Sequence, residues 1–431
     1  MATVGTIAII QTKPSGRRAG NGTWKGWPMS NKLLEILHPA GFLSFGPESS
    51  SVTLTDLNVL IGPNGVGKSN FIEAIELLHA APADFSAAIR LGGLPSNWIW
   101  HGGRGGTVSA RLVAHLTAAD NIPELSYAIE FMQNADHLEI TEETLERTQG
   151  AARTAHEPRY YYYRKQRGQA FIATRQLRTP AQAEGGHTER QVGVNPQLSA
   201  LSQIKDPASF PEFSSAARRL ERIGIFREWA FGRSATLRLP QPANLPNDIL
   251  LPQTVNLGLV LNELQQRGER WIRLNEMLRR FLPRFSRLTI GVAGGAVQIF
   301  LHEDGLGVPV PATRLSDGTL RFLCLLAILL NAESSSLICI EEPELGMHPD
   351  AMSILADLLV ETSATTQIVV TTHSDALVSA LTAHTDSVLV CDYGKNGTEL
   401  RRLEADKLAY WLKDYALGDI WRTGKLGGNL F

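Results

Sequence analysis

The chain has 431 residues, of which 43% are hydrophobic and 19% are charged, and its formal net charge at pH 7 is −2. This composition provides enough apolar residues for a sizeable core and excludes a disordered polymer. The near-neutral charge argues against a protein that coats nucleic acid through overall positive charge. No apolar run reaches the ~18–20 residues that a membrane-spanning helix needs, so we predict a cytoplasmic protein without a membrane partner.

The cysteines and the N-terminal residues add two expectations. Cys324, Cys339 and Cys391 lie far apart within apolar runs, which is typical of buried thiols in a reducing compartment rather than of disulfides or a zinc site. Residues 1–28 are largely polar and carry no secretion signal. We predict that they form a flexible N-terminal extension and that the folded unit begins at Met29.

Apolar periodicity, interrupted by glycine and proline, predicts an α/β chain. Strands are predicted at 33–37, 42–45, 52–54, 57–61, 107–116, 125–132, 137–140, 159–178 with a turn at Gly168, 288–290, 297–301, 337–340, 368–371 and 388–391. Helices are predicted at 69–80, 208–231, 255–267, 270–282 and 316–331 and after Pro349, and a loop at 179–200. The residues with recognisable chemistry lie towards the two ends of this order, and 81–310 separates them as a long insertion.

The strand at 57–61 leads into a glycine-rich loop and then into an amphipathic helix, which is the setting of a P-loop. Glycines in such a loop let backbone N–H groups face phosphate oxygens, and the helix adds its N-terminal dipole. Lys68 is predicted to act in catalysis by placing its charge between the β- and γ-phosphates of ATP, and the Ser69 hydroxyl to ligate Mg²⁺. The residues predicted to bind ATP here are Gly62, Pro63, Asn64, Gly65, Val66, Gly67, Lys68, Ser69 and Asn70.

A second candidate site is the apolar run 337–340, which is followed by the paired acids Glu341 and Glu342. This ending is typical of a Walker B strand, in which the first carboxylate helps to hold Mg²⁺ and the second aligns the attacking water. A buried strand that ends in a solvated acidic turn has the same pattern, but the P-loop favours the functional interpretation. We therefore predict Glu341 as a metal ligand and Glu342 as a catalytic residue.

Two shorter segments are candidates for contact with the γ-phosphate. Ser316 and Gly318 open a predicted helix, where a serine serves either as a helix cap or as a phosphate ligand at the helix N-terminus. His373 follows a predicted strand, where a histidine is either structural or a hydrogen-bond partner of the phosphate or of the attacking water. Their order around the Walker B strand favours function, so we predict that Ser316 and Gly318 bind ATP and that His373 is catalytic.

In this order, the P-loop, the Leu315–Thr319 signature, the Glu341–Glu344 string and the Thr372–Ser374 switch resemble the ABC-type ATPase heads of the RecF, SMC and OLD group. The resemblance is strongest to the compact bacterial "predicted AAA ATPases" described as RecF-like, and it covers the chain from about Met29. Supporting strings are Gly41–Gly46, Leu57–Ile61, Asn97–Gly103, Leu417–Trp421 and Gly427–Asn429. The fold that it implies is an α/β P-loop NTPase of the ABC/SMC-head type, with a mixed sheet, an antiparallel β lobe and a helical insertion.

The resemblance also implies how the chain is divided and how two chains combine. Residues 29–431 would form one ATPase head, with the β lobe and helical insertion in 81–310 and the signature, Walker B and switch segments in 311–431. A D-loop is implied at Glu344–Pro349. Two heads would form a homodimer on ATP binding, in which Ser316 and Gly318 of one chain face the P-loop of the other.

The chain departs from the pattern of ABC heads in two places. Glu341 occupies a position at which those heads usually carry aspartate, a change that the OLD-like branch tolerates. No glutamine lies between Asn70 and Met132, so the Q-loop glutamine has only Gln133 and Gln203 as candidates. Metal ligation by Glu341 is therefore less well supported by the resemblance than the P-loop contacts are.

Three functions remain open from the sequence. The first is an ATP-hydrolysing head that dimerises on ATP to drive DNA repair or anti-phage defence, with a separate protein effector and DNA as candidate partners. The second is a regulatory ATPase subunit that acts on a protein partner without DNA contact, and the third is the ATPase subunit of a transporter. The short stretch after His373 predicts that any nuclease activity belongs to another polypeptide.

DNA contact is predicted from the segment Arg153–Arg178, in which basic residues alternate with aromatic ones. Arginine and aromatic side chains together bind phosphates and stack on bases. A solvated edge hairpin carries similar charges, because they prevent strand-to-strand aggregation. The candidate nucleic-acid contacts are Arg159, Arg164, Lys165 and Arg167.

Overall fold

A computed structural model describes residues 32–102, 107–119, 122–148, 160–174 and 188–428 of the chain. The predicted flexible extension at 1–28 lies outside these ranges. Within them, the strands form sheets of eight, six and four strands. None of the helices in the described ranges combines the length and the apolar composition that crossing a bilayer requires.

Strands and helices alternate at both ends of the chain, and antiparallel strands fill much of its middle. The strands are β1 Leu34–Ala40, β2 Val52–Thr53, β3 Leu57–Ile61, β4 Ser109–Leu116, β5 Leu125–Asn134, β6 His137–Arg147, β7 Tyr161–Gln166, β8 Gln169–Thr174, β9 Thr188–Val192, β10 Ile223–Phe226, β11 Gln241–Pro242, β12 Phe285–Ala293, β13 Ala296–Glu303, β14 Val310–Pro311, β15 Leu337–Glu341, β16 Gln367–Thr371, β17 Val388–Gly394 and β18 Gly397–Arg402. The helices are α1 Lys68–Ala80, α2 Phe85–Leu91, α3 Ala200–Gln203, α4 Pro211–Glu221, α5 Leu257–Gln266, α6 Gly268–Phe281, α7 Asp317–Leu329, α8 Met352–Ser363, α9 Asp375–Ala380, α10 Ala405–Leu408 and α11 Leu417–Arg422.

The six-stranded sheet has the order β10-β15-β16-β3-β17-β18 and positions the motifs. All of its pairs are parallel except β17 with β18. Every residue of β3 and β16 is buried, as expected for strands covered on both faces. Because parallel strands share the direction of their carboxyl ends, the segments that follow β3, β15 and β16 meet at one edge of this sheet, where ligands of α/β folds bind.

The eight-stranded antiparallel sheet has the order β2-β1-β4-β5-β6-β7-β8-β9 and forms the β lobe. Its strand β4 alternates buried and partly exposed residues along its whole length, which is typical of a sheet with one face against the core. Phe71, Ile75 and Leu78 of α1 belong to the same apolar cluster as Leu112 of β4. The helix that follows the P-loop is therefore held by both the β lobe and the central sheet.

The remaining sheet, β11-β13-β12 with β14 beside β13, packs with α5 and α6 in the cluster that also contains α7. It corresponds to the hairpin predicted around Gly294 and Gly295, and both glycines have positive φ in the turn. This helical and β-hairpin insertion therefore adjoins the helix that carries the signature segment.

Three local predictions are wrong. The helix predicted at 208–231 ends at Glu221, and β10 pairs in parallel with β15 instead, because Ile223 and Phe226 gain burial at the sheet edge. The residues 42–45 form a tight turn with an isolated bridge rather than a strand. The loop predicted at 179–200 contains β9, which pairs with β8, and its residues 179–187 lie outside the described ranges.

Candidate nucleotide-binding site

The carboxyl ends of β3, β15 and β16 surround a cleft of about 160 Å³. It is lined by Asn64, Gly65, Gly67, Lys68, Ser69, Asn70, Glu342, Thr371 and His373. Helix α1 begins at Lys68, directly after the glycine-rich loop, so the helix N-terminus lies at the cleft. The structure therefore brings together the P-loop, the second acid of the Walker B string and the switch histidine.

The buried ammonium of Lys68 makes the cleft suitable for a polyphosphate. Its Nζ donates hydrogen bonds to the carbonyl oxygens of Gly62 at 2.8 Å and Pro63 at 2.9 Å. The side chain is 6% exposed, and its burial lowers the pKa of Lys68. No carboxylate of the described residues lies within ion-pair distance of it, so an anion bound in the cleft would supply the negative charge that a buried cation requires.

The P-loop is braced by two hydroxyl groups from opposite ends of the chain. Thr398 Oγ1 lies 2.7 Å from the carbonyl oxygen of Val66 and 2.6 Å from Ser44 Oγ, which also accepts a hydrogen bond from Asn70 at 2.8 Å. Gly67 has φ 106°, and a Cβ there would collide with both hydroxyl oxygens. The loop therefore requires glycine at this position for space as well as for backbone conformation.

The C-terminal glycines pack against the start of the P-loop. The N–H of Gly428 donates to Asp392 Oδ1 at 2.7 Å, and Arg401 donates to the carbonyl oxygen of Leu426 at 2.7 Å. A Cβ at Gly428 would lie 3.4 Å from Gly62 Cα. The Gly427–Asn429 string, for which the sequence offers no physical reason, thus reaches the base of the P-loop through its described glycines.

Glu341, the first acid of the Walker B string, binds an arginine that the sequence patterns do not mark as functional. Glu341 Oε2 accepts a hydrogen bond from Arg227 Nε at 2.9 Å, and the same guanidinium binds Glu73 and Glu76 of α1, each at 2.8 Å. Burial opposes the charge of Arg227, but the bonds to these carboxylates raise its pKa. Glu341 does not line the cleft, so its role as a metal ligand stays a prediction.

Glu342 lines the cleft, and its backbone is held in an unusual conformation. Its φ of 45° is left-handed, which costs about 1–3 kcal/mol in a residue other than glycine. The N–H of Glu342 donates to the carbonyl oxygen of Thr371 at 3.0 Å, and Arg321 of α7 donates to the carbonyl oxygen of Glu342 at 3.0 Å. Arg321 itself stacks over the rings of Trp229 and Phe231. The signature helix therefore contacts the Walker B segment of the same chain.

His373 lies beside Glu342 at the mouth of the cleft. Its Nε2 is 3.6 Å from Glu342 Oε1, and its backbone N–H donates to Glu344 Oε1 at 2.9 Å. Burial, and next the positive charge of Lys68, lower the pKa of His373 below its ordinary value of 6.5. The lowered pKa favours the neutral imidazole, which both donates and accepts a hydrogen bond.

A lowered pKa predicts the pH dependence of hydrolysis. Because the lowered pKa of His373 is that of the nucleotide-free protein, we expect kcat/KM for ATP to stay constant down to about pH 6.5 and to fall at lower pH. His373→Asn is expected to lower kcat/KM and remove this part of the profile, whereas His137→Asn, at an exposed histidine of β6 outside the cleft, should leave it unchanged. Phosphate release measured across pH checks this. A fall that begins above pH 7 would contradict the assignment.

Ser316 and Gly318 do not line the cleft of their own chain. Ser316 Oγ accepts a hydrogen bond from the N–H of Thr319 at 3.1 Å, so it caps α7 while remaining exposed. Gly318 lies against the D-loop, where a Cβ would come within 2.5 Å of the carbonyl oxygen of Gly346. The structure thus describes the helix cap, and phosphate binding by these two residues stays a prediction.

The candidate nucleic-acid contacts differ in accessibility. Arg159 lies outside the described residues. Arg164 is paired with Glu189 at 2.7 Å, and Arg167 is exposed at the turn between β7 and β8. Lys165 is only 4% exposed, so we remove it from the candidate set because a buried amine cannot reach a phosphate backbone.

Neither candidate for the Q-loop glutamine lines the cleft. Gln133 accepts a hydrogen bond from the N–H of Ser96 at 3.0 Å. Gln203 accepts one from the N–H of Asn195 at 2.8 Å. Both side chains are therefore bound to backbone groups away from the cleft, Gln133 to the distant Ser96 and Gln203 to the nearby Asn195.

Known proteins share the fold and parts of the sequence. The Old nuclease of Escherichia phage P2 is 30% identical over 125 residues, which make up 26% of this chain and 21% of that protein. The match thus spans about a fifth of the length of the nuclease. A family model described as "AAA domain, putative AbiEii toxin, Type IV TA system" matches residues 57–379.

Two solved SMC heads have a similar fold. An SmcHead bound to the C-winged helix domain of ScpA gives a TM-score of 0.54 at 14% identity, covering 87% of this chain and 99% of that one. An Smc head domain with an extended coiled coil, bound to the C-terminal domain of ScpA derived from Pyrococcus furiosus, gives 0.52 at 12% identity, covering 89% and 99%. These likenesses concern the fold alone, and they confirm the predicted α/β fold of the ABC/SMC-head type. Because the family model spans most of the chain, this protein belongs to the family described as "AAA domain, putative AbiEii toxin, Type IV TA system"; it resembles the Old nuclease in part of its sequence and SMC heads in its fold.

Proposed function

We propose that this protein is an Mg²⁺-dependent, ATP-hydrolysing head that forms a homodimer on ATP binding and thereby drives a separate protein effector in anti-phage defence or DNA repair in the cytoplasm. The proposal rests on the positions of the residues predicted to bind ATP, which fall into two groups. The P-loop, Glu342 and His373 line one cleft, whereas Ser316 and Gly318 lie outside it. A second copy of the chain supplies the missing contacts if its exposed Ser316 faces this cleft.

Each side chain in the cleft has a role that suits phosphate transfer to water. Lys68 and the backbone N–H groups of the P-loop bind the phosphates, and Glu342 accepts a hydrogen bond from the attacking water and orients it. Neutral His373 donates a hydrogen bond to the γ-phosphate or to this water. The Ser69 hydroxyl and, in the prediction, Glu341 would hold Mg²⁺, which would supply positive charge next to the phosphates.

The biological process is inferred from the relatives. The family description names a putative AbiEii toxin of a type IV toxin–antitoxin system, and the partial match is to a phage nuclease. The proposal of a defence role rests on these two descriptions. The match covers about a fifth of the nuclease, and our proposal gives this chain the ATP-driven step and a separate effector any nuclease activity.

Contact with DNA is a separate part of this proposal, and it rests on two arginines. Arg167 is exposed at a hairpin turn, and Arg164 lies on the face of Phe171 while it binds Glu189. Neutralisation of Arg164 by an acid favours the alternative, a regulatory ATPase that acts on a protein partner without DNA contact. Loss of salt-dependent DNA binding in Arg164→Ala with Arg167→Ala would support contact, and absence of binding at low salt would exclude it.

The mass of the protein with and without ATP tests the composite site. In a Glu342→Gln background, which retains bound ATP, we expect the mass to double when ATP is added. Ser316→Asp should keep the mass monomeric, because aspartate still caps α7 but repels the γ-phosphate. Ser316→Asn, an uncharged cap, should retain the dimer. A protein that binds ATP and stays monomeric would contradict dimerisation.

A further inference from the structure

A groove of about 410 Å³ lies in the C-terminal segment of the chain and shares no lining residue with the nucleotide cleft. Its walls are formed by Trp411, Tyr415, Asp419, Ile420, Arg422, Thr423 and Lys425. None of these side chains takes part in the proposed hydrolysis of ATP. The Leu417–Trp421 string, which the ATP contacts do not explain, contributes two of them. The groove is therefore a surface for which the nucleotide chemistry gives no reason.

Aromatic side chains form a strip in and beside this groove. The ring of Trp411 lies 5.7 Å from that of Tyr410 and 6.4 Å from that of Tyr415. Tyr410 is 75% exposed and Tyr415 is 54% exposed. Tyrosine and tryptophan are enriched as anchors of protein–protein interfaces, because each buries a large area with few rotatable bonds. The strip therefore has the composition of a protein-binding surface.

The groove carries one positive charge that no acid of its lining neutralises. Arg422 and Asp419 form an ion pair at 2.8 Å. Lys425 places its Nζ 3.5 Å from the centre of the Trp411 ring, and in the part of the chain that the structure describes no carboxylate lies within ion-pair distance of it. An exposed ammonium on an aromatic face is complementary to a carboxylate that is flanked by a large apolar group.

The single surplus charge indicates which class of macromolecule the groove fits. Proteins that hold a nucleic-acid backbone neutralise several phosphates with several basic side chains. The lining of this groove offers Lys425 alone, because Arg422 is engaged by Asp419 and Asp375. A peptide segment with an acidic group beside an apolar side chain is therefore a better fit than a DNA strand.

The groove is connected to the nucleotide site through its own helix. Gly418 of α11 packs so closely on α9 that a Cβ there would collide with the carbonyl oxygen of Asp375, and Arg422 reaches the Asp375 carboxylate at 3.5 Å. Asp375 opens α9 two positions after His373. At the other end of the same segment, Gly428 packs at the base of the P-loop. A partner in the groove therefore binds an element that contacts both the switch segment and the P-loop.

We propose that this groove is the docking site of the protein effector, and that the effector presents a carboxylate beside a large apolar side chain. The carboxylate pairs with Lys425, and the apolar side chain packs against Tyr415 and Trp411. This inference rests on the proposed function in that a separate effector exists. It assigns the Leu417–Trp421 string to the connection between the effector and the switch segment.

Two peptides that differ only in charge test the groove with the full chain. In one, phenylalanine alternates with glutamate, and in the other lysine replaces glutamate; each carries a neutral dye, and binding is measured by fluorescence anisotropy. We expect the acidic peptide to bind about tenfold more tightly. Tyr415→Ala should weaken the acidic peptide by about tenfold. Tyr393→Ala, at a tyrosine that is 61% exposed outside this groove, serves as the matched control and should bind like the parent protein.

Reversal of the charge provides the second readout. Lys425→Glu is expected to reverse the preference, so that the basic peptide binds more tightly than the acidic one. Lys413→Glu, at an exposed lysine that does not line the groove, should keep the preference of the parent protein. Phosphate release should be unchanged in both variants, because neither lysine lies in the nucleotide cleft.

Equal binding of the two peptides by the parent protein, or an unchanged preference in Lys425→Glu, would overturn the docking site. Loss of the ATP-dependent doubling of mass in Lys425→Glu would also overturn it, because the groove would then belong to the contact with a second copy of the chain. Tighter binding of a labelled oligothymidylate than of the acidic peptide would assign the groove to nucleic acid instead. Absence of phosphate release by the parent protein would contradict the proposed ATPase and leave the peptide result unaffected.

Discussion

Glu342→Gln is expected to lower the turnover of ATP by about a hundredfold or more, because a correctly placed general base contributes on the order of 10²–10⁴ to a rate. Glutamine keeps the size of the side chain and its place in the cleft, but it cannot take a proton from water. The affinity for ATP should change little, since the phosphates are bound by the P-loop. Phosphate release at saturating ATP and equilibrium binding together measure the two effects.

The control for this change is Glu48→Gln, which removes a carboxylate at an exposed position outside the cleft. It should leave turnover and affinity as they are in the parent protein. If Glu342→Gln retained full turnover, another group would have to activate the water. If it instead lost ATP binding, the carboxylate would be acting in binding rather than in the chemical step.

Arg227→Met is expected to lower the free energy of unfolding by about 2 kcal/mol. Methionine fills part of the space, but it leaves Glu73, Glu76 and Glu341 close together without a cation. Removing one partner of a fully buried charge network costs about 3–5 kcal/mol, and partial exposure of these carboxylates reduces that figure. Urea unfolding of the purified variant measures the change.

Arg284→Met is the matched control. Arg284 also pairs with a carboxylate, that of Glu303, but the Arg284 side chain is 68% exposed. A surface pair of this kind contributes about 0–1 kcal/mol, so the two arginine variants should differ clearly. Adding Glu341→Gln to Arg227→Met should restore part of the lost stability, since one of the three repelling charges disappears. Equal costs for the two arginines would show that water alone solvates the carboxylates adequately.

The parts of the fold that could be predicted are those whose pattern is local in sequence. A run of five buried residues, four of them apolar, before a glycine-rich loop defines β3, and the paired acids after 337–340 mark the end of β15. Both elements are predicted from residues within about ten positions of each other, because periodicity and turn formation are properties of short stretches of sequence. The parallel strands then bring P-loop, Glu342 and His373 together without further information.

The residues that escaped prediction act over long sequence distances. Arg227 is 114 positions from Glu341, and Ser44 is 354 positions from Thr398. Nothing in the immediate neighbourhood of Arg227 or Thr398 distinguishes it from a surface residue. The prediction of a helix over 208–231 also excludes the strand β10. This strand pairs with β15, and the pairing places Arg227 beside the Walker B strand. Such partners are defined by tertiary packing, which a single sequence does not display.

The position of β3 between two much later strands determines when the ATP site can assemble during synthesis. Its neighbours in the sheet are β16 and β17, which lie more than 300 residues further along the chain. At about 5–20 residues per second, a ribosome takes roughly 15–60 s to reach them after β3 has been synthesised. Throughout that interval the P-loop strand has no partner on either side. A nascent chain therefore has no assembled ATP site, and nucleotide-driven action begins only after β16 and β17 have been synthesised.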